Sequence, residues 1–396
     1  MDKRRNIVLL AICQALYLAS MSVNVSWSGM VGYSLAPTPL LATLPYALIT
    51  VATATVTIPI SFLMARIGRR GGFMLGAAAG LTSGLVCAYA ILQANFVIFC
   101  LGNACYGVYQ ACAQYYRFAA ADAARPEKRA QAVSWVLAGG LVSAFIGPTI
   151  ASVTRDYFAP VEFAGSYIAV VGLSITSMAL LAFLDIPLPA KREAGKGGRP
   201  LWEIVRQPAF ITAVTNSVAG YAVMAFLMTA SPLAAIACGH SKDDATDILR
   251  FHVVGMFAPA FFTGPLIARF GVGPILSLGG VLLIASVLTA LGGTSLLHFK
   301  ISLMLLGVGW NFCYIGGTTL LATTYRPEER AKAQATNEFM TFGTVAVAAL
   351  SSGGFLNYFG WEGVNWAALP LLCLVVGATL WYALSNFRSG RAIPVQ

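Results

Sequence analysis

Two pairs of soft side chains recur at one spacing, Met224-Ala-Phe-Leu-Met228 and then His252-Val-Val-Gly-Met256. Residues four apart share a helix face, so each pair offers two side chains to one small volume. Three thioethers and an imidazole are soft ligands that select copper, Cu(I) above all, and hold zinc or iron poorly. The bland alternative is that Met fills irregular core space and that His252 is a satisfied hydrogen-bond partner. Both readings depend on what positions these residues.

A helical hairpin would carry them, outward over 208–238 and back over 245–269. Centred on Lys242, Met228 and Met256 lie at the same level, while Met224 sits about 6 Å deeper and His252 about 6 Å shallower. Met228 and Met256 with one further ligand close on an ion most easily. Engaging all four needs a kink, and Pro232 and Pro259 can each supply one. At the turn, Cys238-Gly239-His240 with Asp243, Asp244 and Asp247 is a candidate for metal capture, although acids there also favour the start of the next helix. Glu338, beside Asn337, is an acid inside an apolar run and therefore a candidate for proton coupling.

Composition names the medium. Of 396 residues, 58% are hydrophobic and 10% charged, against about 25% charged in soluble domains. Apolar runs of membrane-crossing length recur twelve times, at about 6–33, 39–65, 71–94, 95–120, 129–153, 163–187, 208–238, 245–269, 272–294, 298–324, 330–355 and 363–387. The expected fold class is an all-α membrane protein. The net charge of +10 collects in alternate loops and at both termini, which places those segments in the cytoplasm by the positive-inside rule and makes a nucleic-acid partner unnecessary. Most of the eight cysteines lie within apolar runs, so no disulfide framework is implied. No nucleotide-binding loop, catalytic triad or zinc-hydrolase spacing is present; an enzyme is not expected, nor is a cofactor.

The chain repeats itself. Arg125-Pro126-Glu127-Lys128-Arg129-Ala130 is answered by Arg326-Pro327-Glu328-Glu329-Arg330-Ala331, and Ala65-Arg66-Ile67-Gly68 by Ala268-Arg269-Phe270-Gly271. The Pro-, Gly- and charge-rich segment 188–207 divides the copies, giving bundles 1–187 and 208–396. Two halves of like orientation form a parallel repeat about an axis along the membrane normal.

On these features the chain resembles the major facilitator superfamily. Arg66, Gly68, Arg69 and Arg70 match the family's cytoplasmic gate signature, Gly-x-x-x-Asp-Arg-x-Gly-Arg-Arg, and Arg269 and Gly271 repeat part of it. Ser61 and Ala65 replace its Gly and its Asp, the acid that helps latch the halves in the family. A Met-x-x-x-Met in the seventh span followed by His-x-x-x-Met in the eighth resembles the CcoA-like copper importers, a bacterial branch that supplies copper for assembling cbb3-type cytochrome oxidase. That resemblance implies Met224, Met228, His252 and Met256 as copper ligands and Cys238 in copper handling. The branch also contains riboflavin importers that lack the paired motif.

The sequence reading is thus a monomeric carrier in the bacterial cytoplasmic membrane, with both termini inside. It would import copper by alternating access and pass it to a cytoplasmic acceptor. An inward-moving monovalent cation gains about 2.3 kcal/mol per 100 mV, so proton coupling is not required. The alternatives are an organic-solute carrier of the riboflavin type and a copper sensor that does not transport.

Overall fold

Backbone inside hydrocarbon must satisfy its own N–H and C=O groups, which favours helices wherever apolar runs cross a bilayer. The structure, a computed structural model, describes residues 3–38, 41, 44–186 and 198–388, and its regular elements there are all helical. In order they are α1 (Lys3–Leu35), α2 (Leu44–Leu92), α3 (Phe96–Ala113), α4 (Tyr116–Ala123), α5 (Arg129–Thr154), α6 (Ala164–Leu181), α7 (Leu201–Val205), α8 (Pro208–Ala237), α9 (Lys242–Phe257), α10 (Ala260–Phe270), α11 (Val272–Leu291), α12 (Leu296–Leu321) and α13 (Arg330–Arg388).

Among the described residues, ten helical stretches are long and apolar enough to cross a membrane. Two are too long for one crossing. The 49 residues of α2 would span about 74 Å, against a hydrocarbon core of about 30 Å. Non-helical backbone at Gly68 breaks α2, and at Gly360 it breaks α13. Ten stretches with two of them divided give twelve crossings, and the all-α fold class holds.

The chain forms two compact units, Met1–Ala123 with Gly139–Glu193, and Ala124–Ala138 with Ala194–Gln396. Residues 188–197 of the expected connector lie outside the described residues. From Arg199 onward the connector is tied to the second unit. The Arg199 guanidinium donates through Nε and Nη2 to the two carboxylate oxygens of Glu329 (2.9 and 2.7 Å), and its backbone N–H adds a third bond. Glu329 is fully buried, accepts also from the Arg326 N–H, and sits where the first copy of the repeat has Lys128.

Both echoes in the sequence are structural repeats. Pro126–Lys128 and Pro327–Glu329 each form one short 3₁₀ turn. Gly68 and Gly271 share a backbone conformation, φ 86° with ψ 163° and φ 84° with ψ 164°, a left-handed region that glycine enters without a Cβ clash. A third echo escaped the sequence reading: Tyr157-Phe158 and Tyr358-Phe359, again 201 positions apart, are both exposed. They lie at the ends of their helical stretches remote from the Arg-Pro-Glu turns, where amphipathic rings suit a membrane–water interface.

The gate signature gains an acid that its sequence lacks. Arg69, only 8% exposed, pairs through Nη2 with Asp122 at 3.3 Å and lies over the Tyr115 ring. Asp122 therefore supplies a carboxylate within the first unit where Ala65 cannot. Arg66, Arg70 and Arg269 are exposed, as anchoring at a membrane surface requires.

Candidate substrate-binding site

The helical hairpin exists, but its return arm packs chiefly on α12, and less on α8. Glycine dictates the choice. A Cβ on Gly255 would lie 2.5 Å from the Met304 carbonyl oxygen, and one on Gly307 would lie 2.5 Å from that of His252. Two bare backbones thus meet, and close approach of this kind is what small residues permit between helices in a membrane.

That contact orients His252. Its side chain is fully buried, and Nδ1 lies 2.8 Å from the Leu303 carbonyl oxygen. A carbonyl only accepts, so Nδ1 carries the proton and Nε2 keeps the lone pair. Nε2 is buried without a hydrogen-bond partner among the described residues. Met224 and Met256 are buried as well, whereas Met228 is half-buried. Among the described residues, no group of three or more His, Cys, Asp and Glu converges as a metal site, so any metal here would depend on thioethers.

The turn beyond α8 is largely committed to local structure. Cys238 caps α8 and is exposed. His240 donates from Nε2 to the Thr294 carbonyl at 2.8 Å and meets the Phe299 ring edge-on. Ser241 and Asp244 form a capping box at the start of α9, and the Ser241 hydroxyl holds the Asp244 carboxyl below its usual range. Asp247 pairs with Arg250 and Lys300. The Asp243 side chain lies outside the described residues. Glu338 is fully buried and accepts from the Asn337 amide at 2.7 Å.

A second feature lies beside the hairpin. The hydrogen-bond ladder of the eighth crossing is broken at Pro259, which has no N–H to return to the Gly255 carbonyl, while Ala258 and Pro259 keep right-handed helical dihedrals, so the helix is kinked and not unwound. The Asn311 amide bridges the break. It donates to the Met256 carbonyl at 2.6 Å and accepts from the Thr263 hydroxyl at 2.7 Å.

Aromatic rings gather at this break. Trp310 stacks on Tyr314, with centroids 4.8 Å apart and planes at 19°. Tyr221 and Phe257 each stand edge-on to Trp310, at 5.3 and 6.2 Å, while Phe342 meets Tyr221 at 5.7 Å. No local pattern in the sequence singles out Tyr221, Phe257, Tyr314 or Phe342. The repeat relates two of the cluster's rings, Tyr221 and Trp310, to rings in the first half. Tyr17 and Tyr109, 204 and 201 positions earlier than Tyr221 and Trp310, form the same edge-on pair at 5.4 Å. Tyr17 and Tyr109 are both buried, whereas Tyr221 is partly exposed.

Two matches to the Major Facilitator Superfamily family model cover residues 10–249 and 239–395. The chain belongs to the major facilitator superfamily. It is 44% identical over 375 residues to the riboflavin transporter RfnT of Brucella anthropi, covering 94% of each chain. Its fold is similar to that of the human organic anion transporter MFSD10 (TM-score 0.78, 14% identity, 96% of this chain and 100% of that one). FucP in its outward conformation is comparably similar (TM-score 0.77, 14% identity, 95% and 98%). At such identities the solved structures speak for the fold alone. RfnT agrees with the riboflavin-type alternative of the sequence reading, and the copper branch gains no support from it.

Proposed function

We propose that this carrier imports riboflavin or a closely related flavin across the bacterial cytoplasmic membrane by alternating access. The observation that carries the reading is the 44% identity to a riboflavin transporter along nearly the whole of both chains. The ring cluster around Trp310 suits it. A flat, neutral, heteroaromatic solute is held by aromatic faces and edges together with a few polar groups.

The test is uptake of labelled riboflavin by a riboflavin auxotroph carrying the gene, together with growth on limiting riboflavin. Saturable uptake above the empty-vector control supports the reading; background uptake with normal amounts of protein in the membrane contradicts it.

Copper import stands as the second reading, favoured by one observation. The His252 Nε2 lone pair is buried without a hydrogen-bond partner, one helical turn from the buried Met256. This reading draws its ligands from Met224, Met228, His252 and Met256, with Met228, Met256 and one further ligand sufficient to hold an ion. Copper accumulation that falls to background in the Met228→Ala/Met256→Ala double variant would favour it; accumulation equal to the vector control in the wild type removes it.

A further inference from the structure

Trp310 combines features that a purely structural ring would not need. It is 2% exposed, yet its indole Nε1 is buried with no hydrogen-bond partner among the described residues. Trp N–H groups usually find an acceptor when buried, and leaving one unpaired is costly. The next residue, Asn311, is held across the eighth crossing by the Met256 carbonyl and the Thr263 hydroxyl. Ser217, one turn before Tyr221 on α8, likewise has a buried hydroxyl with no partner. Its Oγ lies beside Gly317 of α12, where an added Cβ would come within 2.6 Å. Helices α8 and α12 of the second unit therefore carry a stacked indole, a partly exposed tyrosine ring and two unsatisfied polar groups.

We infer that Trp310 is the specificity-determining residue of the substrate site, its indole N–H donating a hydrogen bond to a ring carbonyl of the planar substrate while Tyr221 presents its ring to the substrate. The inference rests on the flavin reading, whose isoalloxazine bears two such carbonyls, and it names the atom that tells them from poorer acceptors. Tyr109, the repeat partner of Trp310, carries a phenolic hydroxyl in place of the indole N–H.

The experiment compares riboflavin with its 2-thio and 4-thio analogues, in which a weakly accepting thiocarbonyl replaces one carbonyl. Wild-type carrier should take up riboflavin with a KM about tenfold below that of one of the two analogues, the loss expected for one hydrogen bond to a buried donor. Trp310→Phe keeps an aromatic ring and removes the N–H. It should raise the riboflavin KM about tenfold and abolish the preference between oxygen and sulfur, a change that mere loosening of the core does not produce. A Trp310→Phe carrier that keeps the preference, or transports riboflavin with wild-type KM, overturns the contact and leaves flavin import standing. If the variant does not reach the membrane, the wild type decides alone, because equal KM values for all three compounds exclude the contact. A wild type that transports none of them overturns both the contact and the flavin reading.

Discussion

Tyr221 meets Trp310 edge-on at 5.3 Å and 73°, and Tyr17 meets Tyr109 in the same way at 5.4 Å and 75°. The two pairs are equivalent in the repeat but differ in exposure, and so they should fail differently. Tyr221→Ala should raise the riboflavin KM by up to about tenfold, since an aromatic contact between the Tyr221 ring and the substrate contributes about 0.5–1.5 kcal/mol. Tyr17→Ala, which empties a buried position, should cost about 3 kcal/mol of stability and appear as a lower melting temperature in detergent. Equal effects on KM from both variants would remove the distinction.

Gly307 allows α9 and α12 to touch at the backbone. A valine there would force its Cβ against the His252 carbonyl and the Met256 N–H, 2.5 and 2.7 Å away. Overpacking of this kind costs about 1–3 kcal/mol. Gly307→Val should therefore lower the melting temperature and displace His252 from Leu303, whereas Gly172→Val, at a position with open space, should leave the melting temperature unchanged. Thermal unfolding followed by size-exclusion chromatography compares the two.

Asp122 neutralises an arginine that is 8% exposed. Removing one partner of a largely buried pair is worse than removing both. Asp122→Asn should destabilise the carrier by about 3 kcal/mol, and adding Arg69→Leu should recover part of that loss. A double variant no more stable than Asp122→Asn would mean that Arg69 finds its compensation elsewhere.

Glu329 holds the end of the connector through a forked pair with Arg199, and forked Arg–carboxylate pairs are the stronger kind. Glu329→Gln keeps the shape and halves the acceptor capacity. It should cost about 2 kcal/mol, more than Glu328→Gln at the neighbouring position, and a melting comparison of the two variants reads the difference.

The bilayer made the fold legible. Because a helix must be apolar for about 20 residues to cross it, the twelve runs appear directly in composition, and the Gly68 and Gly271 echoes mark two backbone turns of one conformation. The Met and His spacing was legible as well, since residues four apart share a face. What the spacing could not say is which helix that face meets. Gly255 and Gly307 decide this by drawing α9 onto α12, so that His252 turns to the Leu303 carbonyl, and nothing local to 252–256 announces a partner 51 positions later. Asp122 was hidden for the same reason, 53 positions from Arg69. The aromatic cluster draws on four helices and has no local pattern; alignment of the two halves, Tyr17 with Tyr221 and Tyr109 with Trp310, discloses its central pair and leaves Phe257, Tyr314 and Phe342 unmarked.

Purified carrier in proteoliposomes, offered labelled riboflavin and Cu(I) in parallel, decides between the two cargoes. A flavin importer shows saturable riboflavin uptake that unlabelled riboflavin competes away, with copper entering no faster than into empty vesicles. Riboflavin uptake at the empty-vesicle level, with copper uptake abolished by Met228→Ala/Met256→Ala, would contradict flavin import.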